Sequence, residues 1–276
     1  RNKQRQIDRM EKVERPVLER RKMALQLHAA ERGGQKVLEL RHASLAFNDE
    51  PVLLDVDLLV RRGERVGIIG PNGAGKSVLG KLLTGELKPT EGERWIGPSI
   101  ALGYFAQGHE TLDPNATPLE IVRSVKTGYE NQAVGLLGRF LFKYEQVRQP
   151  VRTLSGGERS RLQLLLLTLG NANCLVLDEP TNHLDIDSAE VLEAALDDFP
   201  GTVLVISHDR YFLDRVCDHI WEVREGEVRG FEGGYSAWVE AKTPKAAPEP
   251  PVAPVPPKEA ERQRHAPPRS AAQKRF

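Results

Sequence analysis

The sequence predicts an α/β fold: a mostly parallel β-sheet with helices against both faces. Two stretches carry this expectation. Over 65–83 a strand, a glycine-rich loop and a helix succeed one another. Arg65-Val66-Gly67-Ile68-Ile69 is apolar enough to be buried, Gly70 to Ser77 forms the loop, and Val78-Leu79-Gly80-Lys81-Leu82-Leu83 continues as a helix. Further on, residues 174–178 and 203–207 are apolar runs of strand length, separated by the helical stretch 188–199. Strands that are apolar along their whole length and joined through helices belong to parallel sheets covered on both sides. The chain's 276 residues, 39% hydrophobic and 28% charged, suffice for one large domain or two small ones.

Taken in order, residues 1–35 read as a charged helical arm. Between positions 1 and 33, ten basic residues stand against five acidic ones, a net charge of +5. Ile7, Met10, Val13 and Val17 recur at helical spacing, and Pro16 marks a kink or a break. A solvated charged helix accounts for this segment, and so does an arm that touches a phosphate backbone. A globular domain is expected over 36–242. Val37-Leu38-Glu39-Leu40 opens it as a strand, and residues 52–60 alternate in polarity as a second strand. Arg61-Arg62-Gly63-Glu64 then turns into the strand before the loop. Residues 100–106 read as another strand, 109–152 as helices and loops, and 162–169 as a buried helix. Residues 220–231 read as a closing hairpin around Glu225-Gly226. After Lys242, nine prolines fall among Ala, Lys, Arg and Glu, so 243–276 reads as a Pro-rich disordered tail.

Composition removes several function classes. The formal net charge is zero, although both ends are basic and the middle is acidic. No apolar run approaches the roughly 18 residues of a membrane-spanning helix, and no secretory signal pattern opens the chain. Cys174 and Cys217 lack metal-ligand spacing and sit among apolar residues. That favours buried free thiols in a reducing, cytoplasmic compartment over a disulfide. A chain that opens on Arg1 reads as part of a longer one.

The chemistry centres on Gly70-Pro71-Asn72-Gly73-Ala74-Gly75-Lys76-Ser77, which fits the G-x-x-x-x-G-K-[ST] phosphate-binding pattern. Glycines let the backbone curl and bring N–H groups close to phosphate oxygens. The helix that follows points its positive end at the same anion. Lys76 reaches the β- and γ-phosphates of a nucleotide, and the Ser77 hydroxyl ligates Mg²⁺. Leu175-Val176-Leu177-Asp178-Glu179 is a hydrophobic strand ending in two carboxylates. In a phosphate-loop protein the acid at such a tip, here Asp178, holds Mg²⁺, and Glu179 faces the attacking water.

The stretch Leu154-Ser155-Gly156-Gly157-Glu158 resembles the signature motif of ATP-binding cassette proteins, and other elements follow in register over roughly 36–240. The resemblance implies an ABC-type cassette: a parallel sheet core, an antiparallel β subdomain and an α-helical signature subdomain. It implies that Phe47 stacks on the adenine of ATP, and that Gln107, in Tyr104-Phe105-Ala106-Gln107, senses Mg²⁺ and the γ-phosphate. His208, after the strand 203–207, takes the place of the switch histidine. Taken alone, His208 reads better as a structural histidine; its place directly after that strand strengthens the catalytic reading. Ser155, Gly156, Gly157 and Glu158 would face the ATP held by a partner cassette. Asn182-His183-Leu184-Asp185 matches the loop that crosses between cassettes.

The run Asp178-Glu179-Pro180-Thr181-Asn182-His183-Leu184-Asp185 is similar to that of the F subfamily, the ABC-F translation factors. These carry two cassettes, no membrane domain, and a charged helical linker that reaches tRNA on the ribosome. Asp8-Arg9-Met10-Glu11-Lys12-Val13-Glu14 resembles the second half of that linker. Phe231-Glu232-Gly233-Gly234-Tyr235-Ser236-Ala237-Trp238 resembles the end of a cassette. The resemblance therefore implies the second cassette of such a factor, an ATPase paired with a first cassette or with a second copy of itself. A transporter's ATPase subunit is the alternative, but it has no need of a basic arm before Val37. A DNA-repair cassette would carry a long insertion between Gln107 and Ser155, and an iron–sulfur recycling factor would carry a cysteine cluster.

Overall fold

The structure, a computed structural model, describes residues 23–28, 34–48, 50–106, 108 and 111–242. The arm before position 23 and the tail after position 242 lie outside the described residues. Nine strands are described: β1 (Lys36–Phe47), β2 (Glu50–Arg61), β3 (Arg65–Ile69), β4 (Glu91–Ile96), β5 (Leu102–Phe105), β6 (Cys174–Asp178), β7 (Thr202–Ile206), β8 (His219–Arg224) and β9 (Glu227–Glu232). Seven α-helices accompany them: α1 (Lys76–Thr84), α2 (Pro118–Val125), α3 (Glu130–Arg139), α4 (Gly156–Leu169), α5 (Ile186–Asp197), α6 (Arg210–Val216) and α7 (Tyr235–Lys242).

The larger sheet has the order β5-β6-β7-β3-β8-β9, parallel except for the antiparallel β8–β9 edge. Every residue of β6 and of β7 is buried, which is why these strands read as uninterrupted apolar runs. Successive side chains leave opposite faces of a strand, so each strand serves two cores. Cys174 and Val176 join Leu79, Leu82 and Leu83 of α1 under the antiparallel sheet β2-β1-β4. Leu175 and Leu177 join Leu162 and Leu165 of α4, Leu192 of α5 and Phe212 of α6 on the other side. Both cysteines are buried free thiols, and burial pushes each up to about 12.

Strand register places the functional ends together. Ile206 pairs with Asp178 across β6–β7 and with Ile68 across β7–β3. The carboxyl ends of these three strands therefore finish on one line, where ligands bind in open α/β sheets. The expected hairpin is present. Glu225 and Gly226 between β8 and β9 have φ of 53° and 83°, the pair of positive values that a tight two-residue turn needs.

The helical expectation fails at 23–28. These residues carry no helix, and burial alternates: Met23, Leu25 and Leu27 point inward while Ala24, Gln26 and His28 are exposed. The backbone N–H of Ala24 donates to the carbonyl of Arg139 at 3.1 Å. The three inward side chains join the core cluster that holds Leu137, Phe140 and Leu165. The apolar period here is two, not 3.6, and burial of one edge outweighs the helix propensity of the surrounding residues. Leu25→Ala should consequently destabilise the domain by about 2–4 kcal/mol in urea unfolding, as deletion of a buried leucine does. A change within about 0.5 kcal/mol, the range of surface substitutions, would detach this segment from the core.

Candidate nucleotide site

The loop between β3 and α1 takes its shape from Gly70 and Gly75. At Gly70, φ is 153° and a Cβ would lie 2.2 Å from the carbonyl oxygen of Val223 on β8. Gly75 caps α1 in the left-handed conformation, φ 98°, against Val52. Lys76, the first residue of α1, turns back and donates from Nζ to the carbonyls of Gly70 and Pro71, each at 3.0 Å. Its ammonium thus closes the loop from inside. Burial pushes Lys76 below the usual lysine range, while the charges of Glu179 and Asp178 pull it back up.

Asp178 ends β6 with 1% of its surface exposed. Glu179 follows with φ 50°, and its N–H donates to the carbonyl of Ile206 at 2.8 Å, a bond that continues the β6–β7 ladder past the strand end. The backbone N–H of His208 favours the charged form of the Glu179 carboxylate, whose Oε1 lies 3.7 Å from His208 Nε2. That buried oxygen has no hydrogen-bond partner among the described residues. Burial raises the Glu179 pKa, aided by Asp178 and Asp209, against the His208 hydrogen bond and Lys76. His208 is lowered, first by burial and then by the charge of Lys76, which favours a neutral imidazole.

These groups surround one cavity of about 690 Å³. Phe47, at the end of β1 and 45% exposed, stands on its wall with Val52, so an aromatic face and an apolar shelf border the phosphate loop. Lys76, Ser77, Asp178, Glu179 and His208 all reach it. A loop that closes on β8 at Gly70 with no room for a Cβ, a buried ammonium and an orphaned carboxylate oxygen fit a nucleoside triphosphate. Ser77 and Asp178 offer the oxygen donors that Mg²⁺ prefers. Gln107 lies outside the described residues. Val52 and Asn182 also line the cavity. Sequence reading missed Val52 as a site residue because nothing distinguishes it from other strand valines, and it placed Asn182 only in the loop between cassettes.

Ser155 to Glu158 do not line this cavity. Ser155 is the N-cap of α4. Its hydroxyl accepts the N–H of Glu158 at 3.3 Å, and Glu158 Oε2 accepts the N–H of Ser155 at 2.7 Å. Gln146 donates to the other carboxylate oxygen. Burial would raise Glu158, but the Ser155 bonds and the charge of Arg161 hold its carboxyl below the usual range. Glu158 is therefore spent on capping the helix rather than turned outward. The spelling Ser-x-x-Glu before an apolar helix carries that signal. A Cβ on Gly156 would lie 3.1 Å from the His183 ring, so the helix start packs directly on the 182–185 loop.

Residues 53–182 match the family described as ABC transporter. The chain carries an ATP-binding cassette domain. Its homologues include ABC-F family members. The cassette is 41% identical over 215 residues to the energy-dependent translational throttle protein EttA of Escherichia coli, a match covering 76% of this chain and 39% of EttA. It is 38% identical over 217 residues to the ATP-binding protein Uup of the same organism, covering 76% of this chain and 34% of Uup. To ABC transporter F family member 5 of Arabidopsis thaliana it is 37% identical over 237 residues, covering 85% and 34% of the two chains. The cassette thus spans little more than a third of these relatives' length. Its fold is similar to a dimeric, post-hydrolysis structure of the ATP-binding cassette MJ0796 bound to ADP and Pi, with TM-score 0.60 and 24% identity, covering 71% of this chain and 98% of that one. Among the described residues, no helix is long and apolar enough to cross a membrane.

Proposed function

We propose that this cassette is the second of two in a cytoplasmic, ribosome-associated ABC-F factor, and that it hydrolyses ATP to ADP and phosphate when paired with a partner cassette. The observation that carries the reading is the gathering of Lys76, Ser77, Asp178, Glu179 and His208 around one cavity from which Ser155 to Glu158 are absent. Each half of a reacting site would come from a different cassette, so the backbone N–H groups at the start of α4 would serve the partner's nucleotide. Likeness to EttA supports the translational part.

The chain's own groups account for binding and proton handling. Phe47 and Val52 receive the base, the loop N–H groups hold phosphate oxygens, and Lys76 exchanges its two carbonyl acceptors for the β- and γ-phosphates. Mg²⁺, which Ser77, Asp178 and Gln107 would hold, would neutralise charge on those phosphates. Glu179 accepts a proton from the attacking water through its orphaned oxygen, and neutral His208 donates toward the γ-phosphate. Positioning and electrostatics supply most of the catalysis in phosphoryl transfer.

The test of the translational part is co-sedimentation of the Glu179→Gln cassette with ribosomes in ATP and in ADP. Trapping the nucleotide should enrich the cassette in the ribosome pellet in ATP over ADP. Equal, negligible pelleting in both would reject ribosome association and leave the nucleotide site standing.

A further inference from the structure

The antiparallel sheet carries a side-chain cluster that the nucleotide site does not use. β1 and β2 pair with a register shift between Leu40 and Ala43 and another between Ala43 and Leu45. In the first, Arg41 and His42 stand opposite Asp57 alone. In the second, Leu54 and Asp55 stand opposite Ser44 alone. Each strand therefore bulges once, side by side with the other. His42 and Asp55 have φ of 45° and 46°, left-handed values uncommon outside glycine. The first bulge is backed closely by β4, where a Cβ on Gly92 would lie 2.1 Å from the His42 carbonyl oxygen.

The bulges bring an imidazole and two carboxylates to one face. His42 Nδ1 lies 2.8 Å from Asp55 Oδ1 and 3.4 Å from Asp57 Oδ2. One ligand atom from each residue lies within 4.8 Å of the other two. Donors bound about 2.1 Å from a metal stand about 3.0 Å apart along an octahedral edge and about 3.4 Å along a tetrahedral one. The second Asp57 oxygen accepts the backbone N–H of His42 at 2.9 Å, an outer bond that fixes the carboxylate's direction. Arg41 turns away to Glu39. Among the described residues neither aspartate pairs with a lysine or an arginine. With a neutral imidazole the cluster carries two negative charges, and its exposure lets water complete a coordination shell. The donor set also selects the ion. Mg²⁺ and Ca²⁺ prefer oxygen alone, whereas imidazole suits Zn²⁺ and its first-row neighbours. We propose that His42, Asp55 and Asp57 bind one divalent transition-metal ion of the Zn²⁺ class across the paired bulges. The ion pins β1 to β2 behind the strand ends that bring Phe47 and Val52 to the nucleotide cavity. The site stands whether or not the cavity holds ATP.

The experiment is calorimetric titration of Zn²⁺ into the 276-residue chain in excess Mg²⁺, with the variants His42→Asn, Asp55→Asn and Asp57→Asn. Asparagine tolerates the left-handed backbone of positions 42 and 55, so the bulges are kept while the imidazole or a charge is removed. His42→Asn should weaken one equivalent of Zn²⁺ by more than about 100-fold, beyond the loss of an outer-shell partner. Each aspartate variant should weaken the same equivalent by about tenfold or more. Histidines elsewhere add a background common to all variants. In the parent itself, saturating Zn²⁺ should slow hydrogen exchange over 41–44 and 54–57, a readout that needs no variant. A His42→Asn chain that binds Zn²⁺ in the same number and as tightly as the parent overturns the site. So does unchanged exchange over these residues in the parent, or displacement of the ion by Mg²⁺. A His42→Asn chain that melts lower than the parent without Zn²⁺, with Zn²⁺ binding intact, would make the cluster an ion pair of protonated His42 with the carboxylates and overturn the proposal.

Discussion

Glu179→Gln should keep ATP binding and slow hydrolysis by about 10²- to 10⁴-fold, the range that a positioned general base contributes. The substitution preserves shape and removes the charge that can take a proton from water. Loss of that charge also removes repulsion between the carboxylate and the γ-phosphate, so ATP should be held more tightly. The pH profile adds a second readout. Burial places the Glu179 carboxyl above its ordinary value. A base works deprotonated, so the parent's rate should fall as pH drops through that raised value, at a higher pH than an exposed glutamate would give. The acid-side fall should be missing from the residual rate of the variant. Single-turnover hydrolysis and nucleotide titration across pH check both points, and normal turnover by Glu179→Gln would reject the role assigned to this residue.

Lys76→Ala should weaken ATP binding by about 10- to 100-fold, the loss expected for charge-assisted hydrogen bonds to phosphate. Lys76 has two tasks. It is the ammonium at the phosphate loop, and it ties the carbonyls of Gly70 and Pro71 together at 3.0 Å each. Alanine leaves both carbonyls to solvent, so the loop should also loosen. A fluorescent-nucleotide titration measures the first effect and hydrogen exchange over 70–77 the second. Faster exchange with unchanged affinity would leave Lys76 a structural tie only. Unchanged affinity and unchanged exchange would remove the phosphate loop from the site altogether.

Much of the cassette was legible in the sequence where burial is uniform or chemistry is local. The strands β3, β6 and β7 are apolar along their length because both faces are covered. The hairpin at Glu225-Gly226 declares itself through a turn that few residue pairs can make. Other elements left no such trace. β4, Glu91–Ile96, is polar and mostly exposed, and exists because it adds an edge to β1. α6 has seven residues, too few for a periodic pattern. Met23, Leu25 and Leu27 were absorbed into a charged helix when their alternation was that of a chain lying along a core.

Residue order by itself determined the phosphate loop, the two carboxylates at the end of β6 and the histidine after β7, because each depends on a strand or helix end that neighbouring residues specify. Only the tertiary structure decided that these ends meet. Their meeting depends on the register that sets Ile206 opposite both Asp178 and Ile68, a pairing between strands far apart in the chain that no local pattern encodes. The same holds for Val52, which joins the site because β2 passes beside Gly75, and for Glu158, whose carboxylate turns inward once Gln146 is there to meet it. A side chain's surroundings are set by long-range packing, and it is those surroundings that decide whether a carboxylate caps a helix or faces a substrate.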